Sequence, residues 1–103
     1  MAVTQQMVAT HSPVYTSIPI TGTLTSPQAE TGQQAGRGVV TFRNESSQDI
    51  YLTNNADVHT SLNYITIPVG DSVVYAIDTG STVTFYFACA SPTATSLKRE
   101  ELY

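Results

Sequence analysis

Short runs of alternating apolar and polar residues, each closed by turn-forming residues, recur along this chain and point to an all-β fold. Alternation with period two puts every second side chain on one face of a strand, whereas a helix face repeats near 3.6 residues. Val14, Thr16, Ile18 and Ile20 share a face of the first such run. Val40 and Phe42 share one between Gly38 and Arg43, and Asn44–Gln48 follows as a turn. Asp49–Thr53 carries Ile50 and Leu52 inward and Tyr51 outward, until Asn54, Asn55 and Asp57 break it. Tyr64–Val69 sets Ile65, Ile67 and Val69 on one face, with Pro68 marking an edge. Gly70-Asp71 signals a hairpin turn into Ser72–Asp78, where Val73, Tyr75 and Ile77 alternate. After Thr79-Gly80, the run Thr82–Ala90 is predicted to be the longest strand, with Val83, Phe85, Phe87 and Cys89 on one face. Strands this short, with frequent turns, predict a single small β-sandwich or Greek-key, barrel-like domain. Phe42, Ile50, Leu52, Ile77, Phe85 and Phe87 are expected to be buried together.

The sandwich is expected over residues 37–91, with less regular chain on both sides. Residues 1–36 read as an extended N-terminal arm and linker. Pro13 and Pro19 confine the Val14–Ile20 run to a sheet edge or a free arm, because proline cannot donate to a ladder. The glycine- and proline-containing stretch after it, residues 22–38, reads as a long loop. Residues 92–103 read as a short C-terminal tail in which Ser96 is placed to cap a helical turn. An apolar strand in an arm leaves backbone groups unpaired unless it pairs with an edge strand, either of its own sandwich or of another subunit, and the second is the expectation here. Val14, Tyr15, Ile18 and Ile20 are therefore candidate partner-binding residues, joined by Leu97, Leu102 and Tyr103 at the other end.

The composition narrows the function. The 103 residues suffice for one domain. Charged residues make up 12% of the chain, about half the usual share, with serine and threonine in their place. A surface so poor in charge suits a chain covered by neighbouring proteins, and equally a plain β domain with a hydroxyl-rich exterior. The net charge is −4, and Arg37, Arg43, Lys98 and Arg99 are too few and scattered to form a phosphate-binding face, so nucleic acid is not an expected partner. No run of 18 apolar residues exists to span a membrane. The first fifteen residues lack a basic segment followed by an apolar one, so synthesis in a cytoplasm is expected.

Motifs with possible chemistry are few. Asp78-Thr79-Gly80 resembles the signature of retroviral-type aspartic proteases, in which two chains pair and two aspartates share a proton. Those enzymes place the motif early and build a flap after it. Here only residues 82–103 follow beyond Ser81, with no further glycine, so a turn is the preferred reading. Val69-Gly70-Asp71-Ser72-Val73 also occurs in copper-binding sandwiches, but no His or Met follows Cys89. His11 and His59 lie apart, the aspartates lack calcium-loop spacing, and Cys89 in its apolar run reads as a buried thiol. Asn44-Glu45-Ser46 matches a glycosylation acceptor by chance. Outward Tyr51, Tyr64 and Tyr86 give the only hint of a carbohydrate-binding or host-attachment module. No enzyme, cofactor or metal is expected.

Val40-Thr41-Phe42-Arg43-Asn44-Glu45-Ser46, Ile50-Tyr51-Leu52 and Pro68-Val69-Gly70-Asp71-Ser72-Val73, followed by the run Thr84–Ala90, resemble the strand-and-turn pattern of small β-sandwich structural proteins of tailed bacteriophage particles. The resemblance covers Val39–Ala90, about half the chain. It implies a non-enzymatic virion protein, made in the host cytoplasm and located in the particle. Within that class it implies a capsid decoration (cement) protein that bridges major capsid subunits as a homo-oligomer or lattice-bound chain. A tail or neck component is the alternative, and an aspartic protease is the alternative from another class.

Overall fold

The computed structural model describes residues 12–54, 64–78, 80, 82–91 and 96–103. Among the described residues there are eight strands: β1 Val14–Pro19, β2 Gln28–Ala29, β3 Val39–Asn44, β4 Ile50–Thr53, β5 Ile65–Ile67, β6 Ser72–Ala76, β7 Tyr86–Cys89 and β8 Ser96–Leu102. They form two antiparallel four-stranded sheets, ordered β1-β8-β3-β6 and β2-β7-β4-β5. Strands pair from the ends of the chain inward: β1 with β8, β2 with β7, β3 with β6 and β4 with β5. Pairing of β3 with β8 and of β4 with β7 then rolls this long hairpin into two sheets. That connectivity is the eight-stranded jelly roll, one form of the Greek-key sandwich.

The period-two pattern explains the layers. In the first sheet, Val14, Glu101, Val40 and Tyr75 lie in one cross-strand row, and Thr16, Arg99, Phe42 and Val73 in the next. Both rows face the second sheet, which answers with Ile50, Leu52, Ile67, Phe87 and Cys89, all fully buried. Phe42 sits at the centre, edge-on to Phe85 at 5.2 Å and to Phe87 at 5.4 Å. The expected core residues thus pack together, with Ile77 half-buried against the cluster.

Several local expectations change. The stretch read as an arm and the stretch read as a tail pair with each other, Val14 opposite Glu101 through Pro19 opposite Ser96, and β8 lies inside the sheet. Ser96 begins a strand, not a helical turn, and β8 with seven residues is the longest strand. β7 is shorter than expected, because the Thr82–Phe85 segment carries no ladder. Gly70 does turn the chain, at φ 84, with Asp71 N–H donating to Pro68 C=O at 3.0 Å. The turn joins β5 to β6 across the two sheets, however, so it closes no hairpin. Ile65 and Val69 consequently remain half exposed or more, while Ile67 is buried.

Candidate interaction surface

A protein that works by contact must present its contacts on sheet edges and outer faces. The outer face of the first sheet carries Tyr15, Glu100, Thr41 and Val74 in one row, and Ser17, Lys98, Arg43 and Ser72 in the next. Tyr15 and Val74, at the two ends of the first row, are each 63% exposed. Among the described residues, the one ion pair on this face joins Lys98 to Glu45 at 3.6 Å, and both side chains are solvated, so it contributes little. The outer face of the second sheet is partly covered. Leu24 and Tyr51 pack on Tyr64 and Ala88 there, and the Tyr64 hydroxyl donates to Leu24 C=O at 3.1 Å. Tyr51 and Tyr86 are half-buried and Tyr64 is buried, so the three tyrosines do not form an open aromatic platform.

The candidate partner-binding residues separate into two groups. Ile18, Ile20 and Leu97 belong to the chain's own core. Tyr15 is exposed, and Val14, Leu102 and Tyr103 are half-buried at the same end of the first sheet. The inner group cannot meet another chain while the sandwich is folded.

A buried, densely hydrogen-bonded cluster of charged groups is one the sequence pattern did not single out. Glu30, Arg37, Arg99 and Glu101 are all buried at one end of the sandwich. Arg37 makes a two-pronged contact with Glu30 at 2.6 and 2.7 Å and reaches Glu101 at 2.9 Å. Arg99 contacts Glu30 at 2.8 Å and Glu101 at 3.1 Å. The guanidinium groups also donate to the C=O groups of Val83, Thr31 and Gly32, and the Gln34 N–H donates to Glu101 at 3.0 Å. The carboxylates hold the Arg37 guanidinium charged, above its ordinary value, although burial alone works against the charge. Two positive and two negative groups cancel, and each is bound by the others. The cluster therefore clamps the β2–β3 connection to β8, a structural role. The signal for it was present: on a strand, Leu97, Arg99 and Glu101 share one face.

The remaining motifs resolve into backbone geometry. Asp78 is exposed, and its carboxylate accepts the Gly80 N–H at 2.9 Å, which makes it a turn-capping residue. Thr79 and Ser81, which complete the protease-like motif, lie outside the described residues, as do His11 and His59. Asn44 is fully buried. Its side-chain N–H₂ donates to Gln48 and Ile67 C=O, both at 2.8 Å, and its side-chain oxygen accepts from Ser46 N–H and Oγ. The Asn-x-Ser motif thus closes the β3–β4 connection, with the Asn44 amide buried in the folded chain. Among the described residues, no group of three or more His, Cys, Asp or Glu could hold a metal ion. A cleft of about 390 Å³ lies between the sheets, walled by Leu52, Ile65, Tyr75, Ile77, Phe85 and Asp78. Comparison with known proteins finds no significant match to any family, curated protein or solved structure.

Proposed function

We propose that this protein is a non-enzymatic structural component of a virus particle, a capsid decoration protein of a tailed phage that packs against the major capsid protein. The observation that carries the reading is the jelly-roll connectivity, an architecture used by viral capsid domains. Lectins and cupins share that architecture, and a fold alone does not assign a function. The scarcity of charge favours protein contact within this group. The buried Tyr64 and its half-buried neighbours disfavour a sugar platform, and the turn role of Asp78 disfavours a protease. Bridging would use the outer face of the first sheet, since β1 is already paired within the chain. Weak contacts suffice in a lattice, because many act together.

The test is the composition of purified particles, measured by quantitative mass spectrometry. A fixed ratio of this chain to the major shell protein is expected, together with rebinding of the purified chain to particles that lack it. Absence from purified particles overturns the proposal. Pepstatin-sensitive proteolysis that disappears in Asp78→Asn does so as well.

A further inference from the structure

Each sheet has two edges, and the four edge strands are built very differently. β2 has two residues, β5 has three and runs into Pro68, and β1 is flanked by Pro13 and ends in Pro19. Short length and proline are the ordinary means by which proteins prevent edge pairing. β6, Ser-Val-Val-Tyr-Ala, has five residues with no proline, no charge and no glycine. It is rich in residues that favour strands. Three edges are protected and one is left open among the described residues.

The backbone directions sharpen the contrast. At the end of β3, Asn44 N–H donates to Asp71 C=O and Asn44 C=O accepts from Gly70 N–H, both at 2.9 Å. Asn44 therefore turns both groups toward β6. By alternation Phe42 and Val40 do the same, opposite Val73 and Tyr75. Val73 and Tyr75 use their backbone groups on β3, so Ser72, Val74 and Ala76 turn theirs to the open edge. On β1 the equivalent set is 13, 15, 17 and 19, since Pro19 C=O points away from β8 to accept from Gln28 Nε2. Two members of that set are prolines and offer no N–H.

We propose that β6 is a homodimerisation edge, pairing antiparallel with β6 of a second copy about a two-fold axis at Val74. The open set 72, 74 and 76 is symmetric about its centre, so the strand is complementary to itself. Ser72 then faces Ala76 of the second copy, and Val74 faces its own mate on the outer face, where it is 63% exposed in the single chain. No like charges meet, because β6 carries none. The flanking Asp71 falls opposite Ile77 in this register. A closed two-fold contact also ends growth, whereas pairing β6 with the β1 edge would run head to tail into a filament. The proline-limited β1 edge opposes that outcome. The contact is small, so dimerisation is expected to depend on concentration. The inference stands apart from the virion reading, because it concerns the isolated chain.

Sedimentation velocity over a concentration series tests it. A monomer–dimer equilibrium is expected for the full chain. Val74→Lys places two ammonium groups face to face at the axis and should weaken dimerisation at least about tenfold while the monomer stays folded, with the melting temperature losing its dependence on protein concentration. The register is tested by charge pairs. Ser72→Lys with Ala76→Lys should abolish the dimer, whereas Ser72→Lys with Ala76→Glu should restore it. A monomer at every concentration overturns the proposal. So does a dimer indifferent to Val74→Lys, or one that does not distinguish the two double variants.

Discussion

At the residue scale, the strictest demands fall on positions that carry little apolar surface. A Cβ on Gly22 would lie 2.2 Å from Phe87 C=O and 2.5 Å from Gln28 N, both backbone atoms. Gly22 C=O also accepts Cys89 N–H at 3.0 Å, so the two segments cannot separate without losing that bond. Gly22→Ala should lower the melting temperature by more than Gly36→Ala, whose added Cβ meets nothing despite its φ of 73. Truncating Phe87, fully buried beside Phe42, should cost about 3–5 kcal/mol in denaturant unfolding. An unchanged midpoint would place Phe87 outside the core. The tyrosines give a pH prediction. Burial pushes the Tyr64 and Tyr75 hydroxyls above their ordinary value of 10.0. The folded state thus holds their protons more tightly than the unfolded state. Their contribution is fully present below about pH 10 and declines as pH rises through the raised values. Denaturant midpoints measured from about pH 9 to 11 should fall, and less steeply in Tyr75→Phe. Of these features, the phenylalanines were legible in the alternation. Gly22 was not, since a close backbone approach leaves no mark on a single sequence beyond the glycine itself.

At the scale of elements, the outcome turns on the two ends of the chain. The alternation of Val14–Ile20 was legible as a strand, but its partner was not. The partner is β8, and its inward residues after Leu97 are Arg99 and Glu101, so it carries no apolar alternation to announce a strand. Charge in a strand interior is tolerable only when opposite charges and hydrogen bonds await it, here from Glu30 and Arg37 on another segment. The shared face of Leu97, Arg99 and Glu101 could be read from the sequence, but which opposite charges meet it is visible only in three dimensions. Two predictions belong here. Deleting residues 1–24 removes Ile18 and Ile20 from the core and strips β8 of one neighbour, so the remainder should lose its cooperative unfolding transition. A folded, stable remainder would show that β1 is an accessory strand. Within the clamp, Glu101→Gln leaves arginine charge buried without its partner and should cost about 3–5 kcal/mol. Replacing Glu30, Arg37, Arg99 and Glu101 together by apolar residues should cost less than four such losses added, because the desolvation penalty disappears with the charges. Denaturant unfolding of the single and quadruple variants separates the two cases.

At the scale of the whole molecule, the connectivity makes nearly every pairing non-local. Only β4 and β5 are neighbours in both sequence and sheet, while β1 must find β8 across almost the full length of the chain. Closing such loops costs chain entropy before any burial compensates, so folds of this kind fold slowly for their size. Refolding after a denaturant jump is therefore expected in the range of about milliseconds to seconds, not microseconds. The order of assembly follows from the same pairing. The inner strands β3, β4, β6 and β7 bring Phe42, Phe87 and Ile50 together without either terminus. The outer pair β1–β8 adds Ile18 and Leu97 and can close only on a surface that β3 already provides. Mutations in the two groups should then act on different rates. Phe42→Leu or Ile50→Val should slow folding, whereas Ile18→Val should mainly speed unfolding. Stopped-flow tyrosine fluorescence over a denaturant series reads both limbs. If Ile18→Val slows folding as much as Ile50→Val does for the same loss of stability, the terminal strands pair in the transition state. The chain would then close as one long hairpin that rolls up from its ends, and not as an inner sandwich that its ends complete.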